Sequence, residues 1–140
     1  MPSFFSSSLV LAALIGASSP ALAGDRGAEV ARGEAALAKA IGDRTPGKPV
    51  TCVNLRDIRS SQIVDRTAIV YDLGGGRLYV NRPTGGAESL GDDDILVTET
   101  YSNQLCRMDI VRLVDRVARF QRGFVNLGDF VPYTRSHPKG

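Results

Sequence analysis

The spacing of apolar and polar residues along this chain changes character twice. Residues 1–23 carry no charged side chain, and within them Leu9 to Ile15 form an unbroken run of seven apolar residues, followed by Gly16, Ser18, Ser19, Pro20 and Ala21-Leu22-Ala23. That is the apolar core and A-x-A cleavage layout of a secretory signal peptide, although Met1 to Ser8 offer only the α-amino group as positive charge. The run is far short of the roughly 20 residues that span a bilayer, and no Cys near the cut marks a lipoprotein. From Asp25 to Ile41 an Ala- and Glu-rich stretch places Val30, Leu37 and Ile41 at helical spacing, and Gly42, Pro46, Gly47 and Pro49 end it. Gly27 and Gly33 each weaken that helix by up to about 1 kcal/mol relative to Ala.

Beyond the linker the chain reads as β. Strands are predicted at Val50 to Val53, at Gln62 to Leu73 and at Arg77 to Arg82, the last two joined by Gly74-Gly75-Gly76 into a hairpin whose turn needs positive φ. Pro83 to Gly86 break the chain, and the alternation of Ile95, Val97, Glu99 and Tyr101 predicts another strand. Asp109 to Gln121 fits either period, with a strand preferred over Asp109 to Val114. Gly123 to Val131 reads as two short strands around Asn126-Leu127-Gly128, and Pro132 with the polar tail from Thr134 closes the domain. The expected organisation is therefore a signal peptide at 1–23, a helix and linker at 24–48, a β domain at 49–134 and a polar tail at 135–140.

Composition narrows the function classes. With 140 residues, 43% of them hydrophobic, the chain builds one small domain, and loss of the leader would leave a sparse core of the kind that usually needs covalent help. A formal charge of +2 is too near balance for a dedicated nucleic-acid binder or a polybasic anchor. The one His, His137, sits in the tail, which leaves a His-based triad or multi-histidine metal site almost nothing to work with. Cys52 and Cys106 are an even pair in a chain expected to be exported, and are read first as a disulfide. Their separation is too long for a C-x-x-C redox motif, and a catalytic Cys would have to rely on His137 in a poorly fixed terminus.

The remaining constellations are weighed against blander roles. Asp92-Asp93-Asp94, with Glu88 and Glu99 nearby, could supply oxygen ligands, but consecutive acids point in different directions and read first as an acidic turn entering the Ile95 strand. The triple glycine leads into a strand, whereas phosphate-binding loops lead into helices. Five arginines from Arg107 to Arg122 could face a polyanion such as a lipopolysaccharide phosphate; a solvated face neutralised by the acidic middle of the chain is preferred. Arg56-Asp57 and Arg107-x-Asp109 each follow a Cys and could form an ion-pair network beside a bridge. Tyr71, Tyr79, Tyr101 and Tyr133 read as core or sheet-face residues rather than ligand platforms.

One set of residues forms a pattern: Cys52, Leu55-Arg56-Asp57-Ile58, the Gly74 to Gly76 turn with Tyr79-x-Asn81, Leu105-Cys106-x-x-Asp109-Ile110, and Leu127-Gly128-x-Phe130-x-Pro132. Over about Val50 to Tyr133 it resembles a proteobacterial family of small exported proteins of unknown function. Members carry further cysteines after the hairpin Asn and just before the Leu-Gly. Here Arg82 to Leu90 and Phe124 to Asn126 hold none, so the resemblance leaves open whether Cys106 pairs with Cys52. It implies no activity, cofactor or catalytic residue.

The expectation is a mainly β (α+β) domain, a small antiparallel barrel or sandwich of five to seven short strands with an N-terminal helix. The expected role is a periplasmic or secreted, non-catalytic module that binds an envelope protein or an anionic envelope component, with no cofactor, no metal, no nucleic acid and no transmembrane segment. Its candidate structural or binding network is Arg56, Asp57, Tyr79, Asn81 and Asp109. The competing expectation is a small hydrolase or metal-dependent enzyme using the acids of the middle segment.

Overall fold

A computed structural model describes residues 21–136. The expected signal peptide falls outside the described residues over 1–20, as does the tail from His137 onward. One helix, α1 (Ala21–Ile41), precedes ten strands: β1 (Thr45–Pro46), β2 (Cys52–Asn54), β3 (Ser60–Val64), β4 (Ala68–Gly74), β5 (Arg77–Asn81), β6 (Asp94–Thr98), β7 (Gln104–Cys106), β8 (Ile110–Asp115), β9 (Gln121–Asn126) and β10 (Phe130–Thr134). All strand pairs are antiparallel, in three sheets ordered β1-β10-β5-β4-β3, β2-β7 and β6-β8-β9. The sheets pack in a sandwich-like arrangement and do not close into a barrel. Among the described residues no helix is long and apolar enough to cross a membrane.

The five-stranded sheet is covered on both faces. On one, Ile69, Tyr71 and Phe130 meet Val111, Leu113 and Val125 of the three-stranded sheet and Val53 and Leu105 of the β2-β7 ribbon. On the other, Leu37 of α1 packs with Val64, Ala68, Val70, Leu78 and Val80, and Ala40 and Ile41 close over them. Double burial explains why Ala68 to Tyr71 are all buried and show no alternation. Phe130 lies between two tyrosines, with ring centroids 5.9 Å from Tyr71 and 6.2 Å from Tyr79, the latter edge-on. Burial pushes the Tyr71 hydroxyl well above its ordinary pKa.

Several boundaries differ from expectation, each for a local reason. The single strand read at Gln62 to Leu73 is a hairpin, β3 and β4, turned at Asp65-Arg66-Thr67 without glycine or proline. Arg66 takes φ 50° there, and Thr67 Oγ1 donates to the Asp65 carbonyl at 2.8 Å. The count of ten strands exceeds the expected five to seven because one expected strand divides into β3 and β4 and because β1 and β7 have only two and three residues, too few to show a period. Residues 110–115 are a strand, so the helical alternative for that segment is excluded. The strand expected to reach Tyr101 ends at Thr98, and β10 continues through Pro132, whose carbonyl accepts from Gly47 N at 2.7 Å.

Two exposed ion pairs fix the helix over the sheet: Arg66 to Glu29 at 2.9 Å and a two-pronged Arg82 to Glu34 contact at 2.6 and 2.9 Å. The Arg82 hydrogen bonds hold the Glu34 carboxyl below its ordinary range. Gly33 has a packing role: a β-carbon there would overlap Thr67 Oγ1 and lie 3.3 Å from the Asp65 carbonyl, whereas one on Gly27 would meet nothing within 4 Å. Gly27→Ala should therefore stabilise the fold by about 0.5–1 kcal/mol. Gly33→Ala should destabilise it by about 1 kcal/mol or more despite the better helix former. Urea unfolding of the two variants checks the opposite signs.

Candidate functional site

Part of the pattern converges on the seam between the sheets: Cys52, Asn81, Cys106, Asp109, Leu127, Gly128 and Phe130. Cys52 and Cys106 are directly opposed on β2 and β7 with Cα atoms 4.0 Å apart, and they form a disulfide. Asp109 sits in the turn that follows, where its Oδ2 accepts from Cys106 N at 2.7 Å. Met108 takes φ 72° and donates from N to the Leu127 carbonyl at 2.9 Å, while Leu127 N donates to the Asp109 carbonyl at 3.0 Å. Arg56 and Asp57 lie exposed on a 3-10 turn, Leu55–Asp57, capped by Asn54, whose Oδ1 accepts from Arg56 N at 3.2 Å. Among the described residues no ion pair joins Arg56 or Asp57 to Arg107 or Asp109; Arg107 pairs instead with Asp129 at 3.4 Å.

Tyr79 and Asn81 point into the main core from β5. Asn81 is fully buried at 0% exposure, and its amide clamps both backbone polar groups of one residue: Nδ2 donates to the Gly128 carbonyl at 2.8 Å, and Gly128 N donates to Oδ1 at 2.9 Å. The side chain thus acts as an extra β-bridge between β5 and the loop joining β9 to β10. Any β-carbon on residue 128 would overlap the Arg82 carbonyl, so the clamp requires glycine there.

The acidic segment and the glycine turn are held by contacts within the fold, with one carboxylate oxygen left without a hydrogen bond. Asp94 opens β6 with a buried side chain whose Oδ2 accepts from Gly91 N at 3.1 Å. Its Oδ1 makes no hydrogen bond and lies 3.5 Å from Arg122 Nη1, a contact of charge rather than of hydrogen-bond geometry. Asp92 and Asp94 line a cleft of about 560 Å³ between the edges of β3 and β6, with Ser61, Gln62, Leu96 and Arg116. Among the described residues no three His, Cys, Asp or Glu side chains are placed to hold a metal ion. In the glycine turn Asp72 Oδ1 accepts from Gly74 N at 2.6 Å, and Arg44 Nε donates to the Gly76 carbonyl at 2.8 Å.

The arginine-rich segment divides. Arg112 pairs with Glu99, Arg122 with Asp94 and Arg107 with Asp129, so three of the five arginines meet acids. Arg116 and Arg119 form no ion pair among the described residues and occupy the turn between β8 and β9. That turn is built by Asp115, whose Oδ1 accepts from Ala118 N at 2.6 Å and Val117 N at 2.9 Å; those two bonds hold its carboxyl below the ordinary range. Asp115 N donates to the Phe120 carbonyl at 2.9 Å, and Arg119 takes φ 61°. Between the arginines Val117 is 90% exposed, and Phe120 just beyond is 57% exposed. By sequence the five arginines read as one face, and the fold sets these two apart by placing them in the turn that Asp115 builds.

Asn81→Ala removes both clamp bonds and leaves the Gly128 N–H and carbonyl buried without partners. The expected loss is about 3 kcal/mol of unfolding free energy by urea titration, with secondary structure retained in circular dichroism.

No protein-family model, curated protein or solved structure matches the chain.

Proposed function

We propose that this chain is an exported, non-catalytic module of the periplasm or the secreted fraction that binds an envelope partner or supports an assembly there. The observation that carries the reading is the use made of the pattern residues: Cys52 and Cys106 are bonded to each other, Asn81 holds Gly128, Asp109 caps Cys106, and Phe130 fills the core. A disulfide suits an oxidising compartment, and the apolar leader supplies the route to one.

Membership in the proteobacterial family that the pattern resembles belongs to the same proposal. The segments where that family carries further cysteines lie against each other here: Thr84 N donates to the Asn126 carbonyl at 2.9 Å, and Gly85 bridges to Asn126. Cys106 pairs with Cys52, so a second family pair would have its own place. The alternative, a small hydrolase or metal-dependent enzyme using the middle acids, gains no support from Asp94, whose carboxylate is engaged with Gly91 and Arg122.

Native mass spectrometry of the protein recovered from the periplasmic fraction, with and without reductant, tests the proposal. The expected species begins at Gly24, is two hydrogens lighter than its reduced form and carries no adduct. A bound metal or small molecule would favour the enzymatic alternative, and an uncleaved chain with free thiols would remove the compartment on which the proposal rests.

A further inference from the structure

We propose that the β8-β9 turn docks this protein onto the surface of an anionic lipid bilayer, with Arg116 and Arg119 meeting headgroup phosphates and Val117 and Phe120 entering the boundary between headgroups and acyl chains. The inference deepens the reading of an exported envelope module and rests on it.

Charge complementarity is the first argument. The other three arginines of the segment are paired with Asp94, Glu99 and Asp129, which leaves the two in the turn as its free cations among the described residues. Asp115 is the one acid of the turn, and its Oδ1 already accepts two backbone N–H groups. Asp92 and Asp94 share a cleft with Arg116 but form no ion pair with it.

Shape is the second. Val117 and Phe120 are exposed at the end of a hairpin, a convex feature of a few residues. A stable protein interface takes about 800 Å² from each partner, which calls for a broad face rather than a tip. A bilayer accepts a small apolar projection flanked by cations, because the apolar side chains leave water while the guanidinium groups remain among phosphates. The turn is also preorganised by the Asp115 bonds, so little ordering is needed on contact.

Vesicle flotation with the purified, leader-free protein tests this. Phosphatidylglycerol vesicles should carry the protein and phosphatidylcholine vesicles should not, and raising the ionic strength should release it. Arg116→Gln with Arg119→Gln should weaken binding at low salt by about fivefold per arginine. Val117→Ser with Phe120→Ser should weaken it about tenfold, while Arg116→Lys with Arg119→Lys retains it. All these positions are exposed, and thermal unfolding confirms that each variant is folded. Absence of binding, equal binding to both lipids, indifference to the turn variants, or displacement by inorganic phosphate alone would each overturn the proposal. Cell fractionation separates this from the underlying reading: an exported protein that ignores vesicles defeats the lipid surface only, whereas a protein retained inside the cell defeats the envelope reading itself.

Discussion

Cys52 and Cys106 face one another on two three-residue strands that would be marginal as an isolated ribbon, and the covalent bond between them holds the ribbon in register. Much of the seam follows from that register. Val53 and Leu105 are opposed on the same ribbon and enter the main core. The turn after Cys106 is set by the Asp109 carboxylate, and its backbone ties to Leu127. Just upstream of the bridge, Val50 exchanges backbone hydrogen bonds of 2.8 and 2.9 Å with Phe130, the first residue of β10. One bond between sulfur atoms therefore anchors a run of contacts reaching both larger sheets, and it closes a loop across 54 positions of sequence.

The second tie is made without covalent chemistry. Asn81 on the five-stranded sheet grips the backbone N–H and carbonyl of Gly128 where the chain leaves the three-stranded one, so the two layers are joined both at the ribbon and at this loop. A buried amide with both ends satisfied favours one arrangement of the layers over others, because any slip would strand polar groups in an apolar core. Together the ties account for the polar members of the pattern at the seam. In the turn between β8 and β9, by contrast, Arg116 and Arg119 form no ion pair among the described residues, and Val117 and Phe120 stand exposed.

What the sequence made legible follows from how each signal arises. The helix, the triple-glycine hairpin and the cysteine pair are written in residues whose conformational or covalent demands are strong wherever they occur. The β3-β4 turn was hidden because Asp65, Arg66 and Thr67 make it by side-chain hydrogen bonding and one left-handed residue, and because double-sided burial of β4 removes the alternation that would have marked the break. Gly33 read as a weakness of the helix, since only the packed structure reveals Thr67 against it. Asn81 and Asp109 belong to the sequence pattern, yet their partners, the backbone groups of a glycine 47 positions away and a cysteine N–H, depend on the fold and not on spacing. The division of the arginines likewise depends on which acids the three-stranded sheet brings within reach.

The claim that the disulfide is the constraint under this architecture is tested most directly by urea unfolding of the oxidised and the fully reduced chain. The chain-entropy model gives a loss of about 4 kcal/mol on reduction, enough to bring a small domain near the edge of folding. A reduced protein that unfolds at the same urea concentration as the oxidised one, with the same slope, would contradict the account.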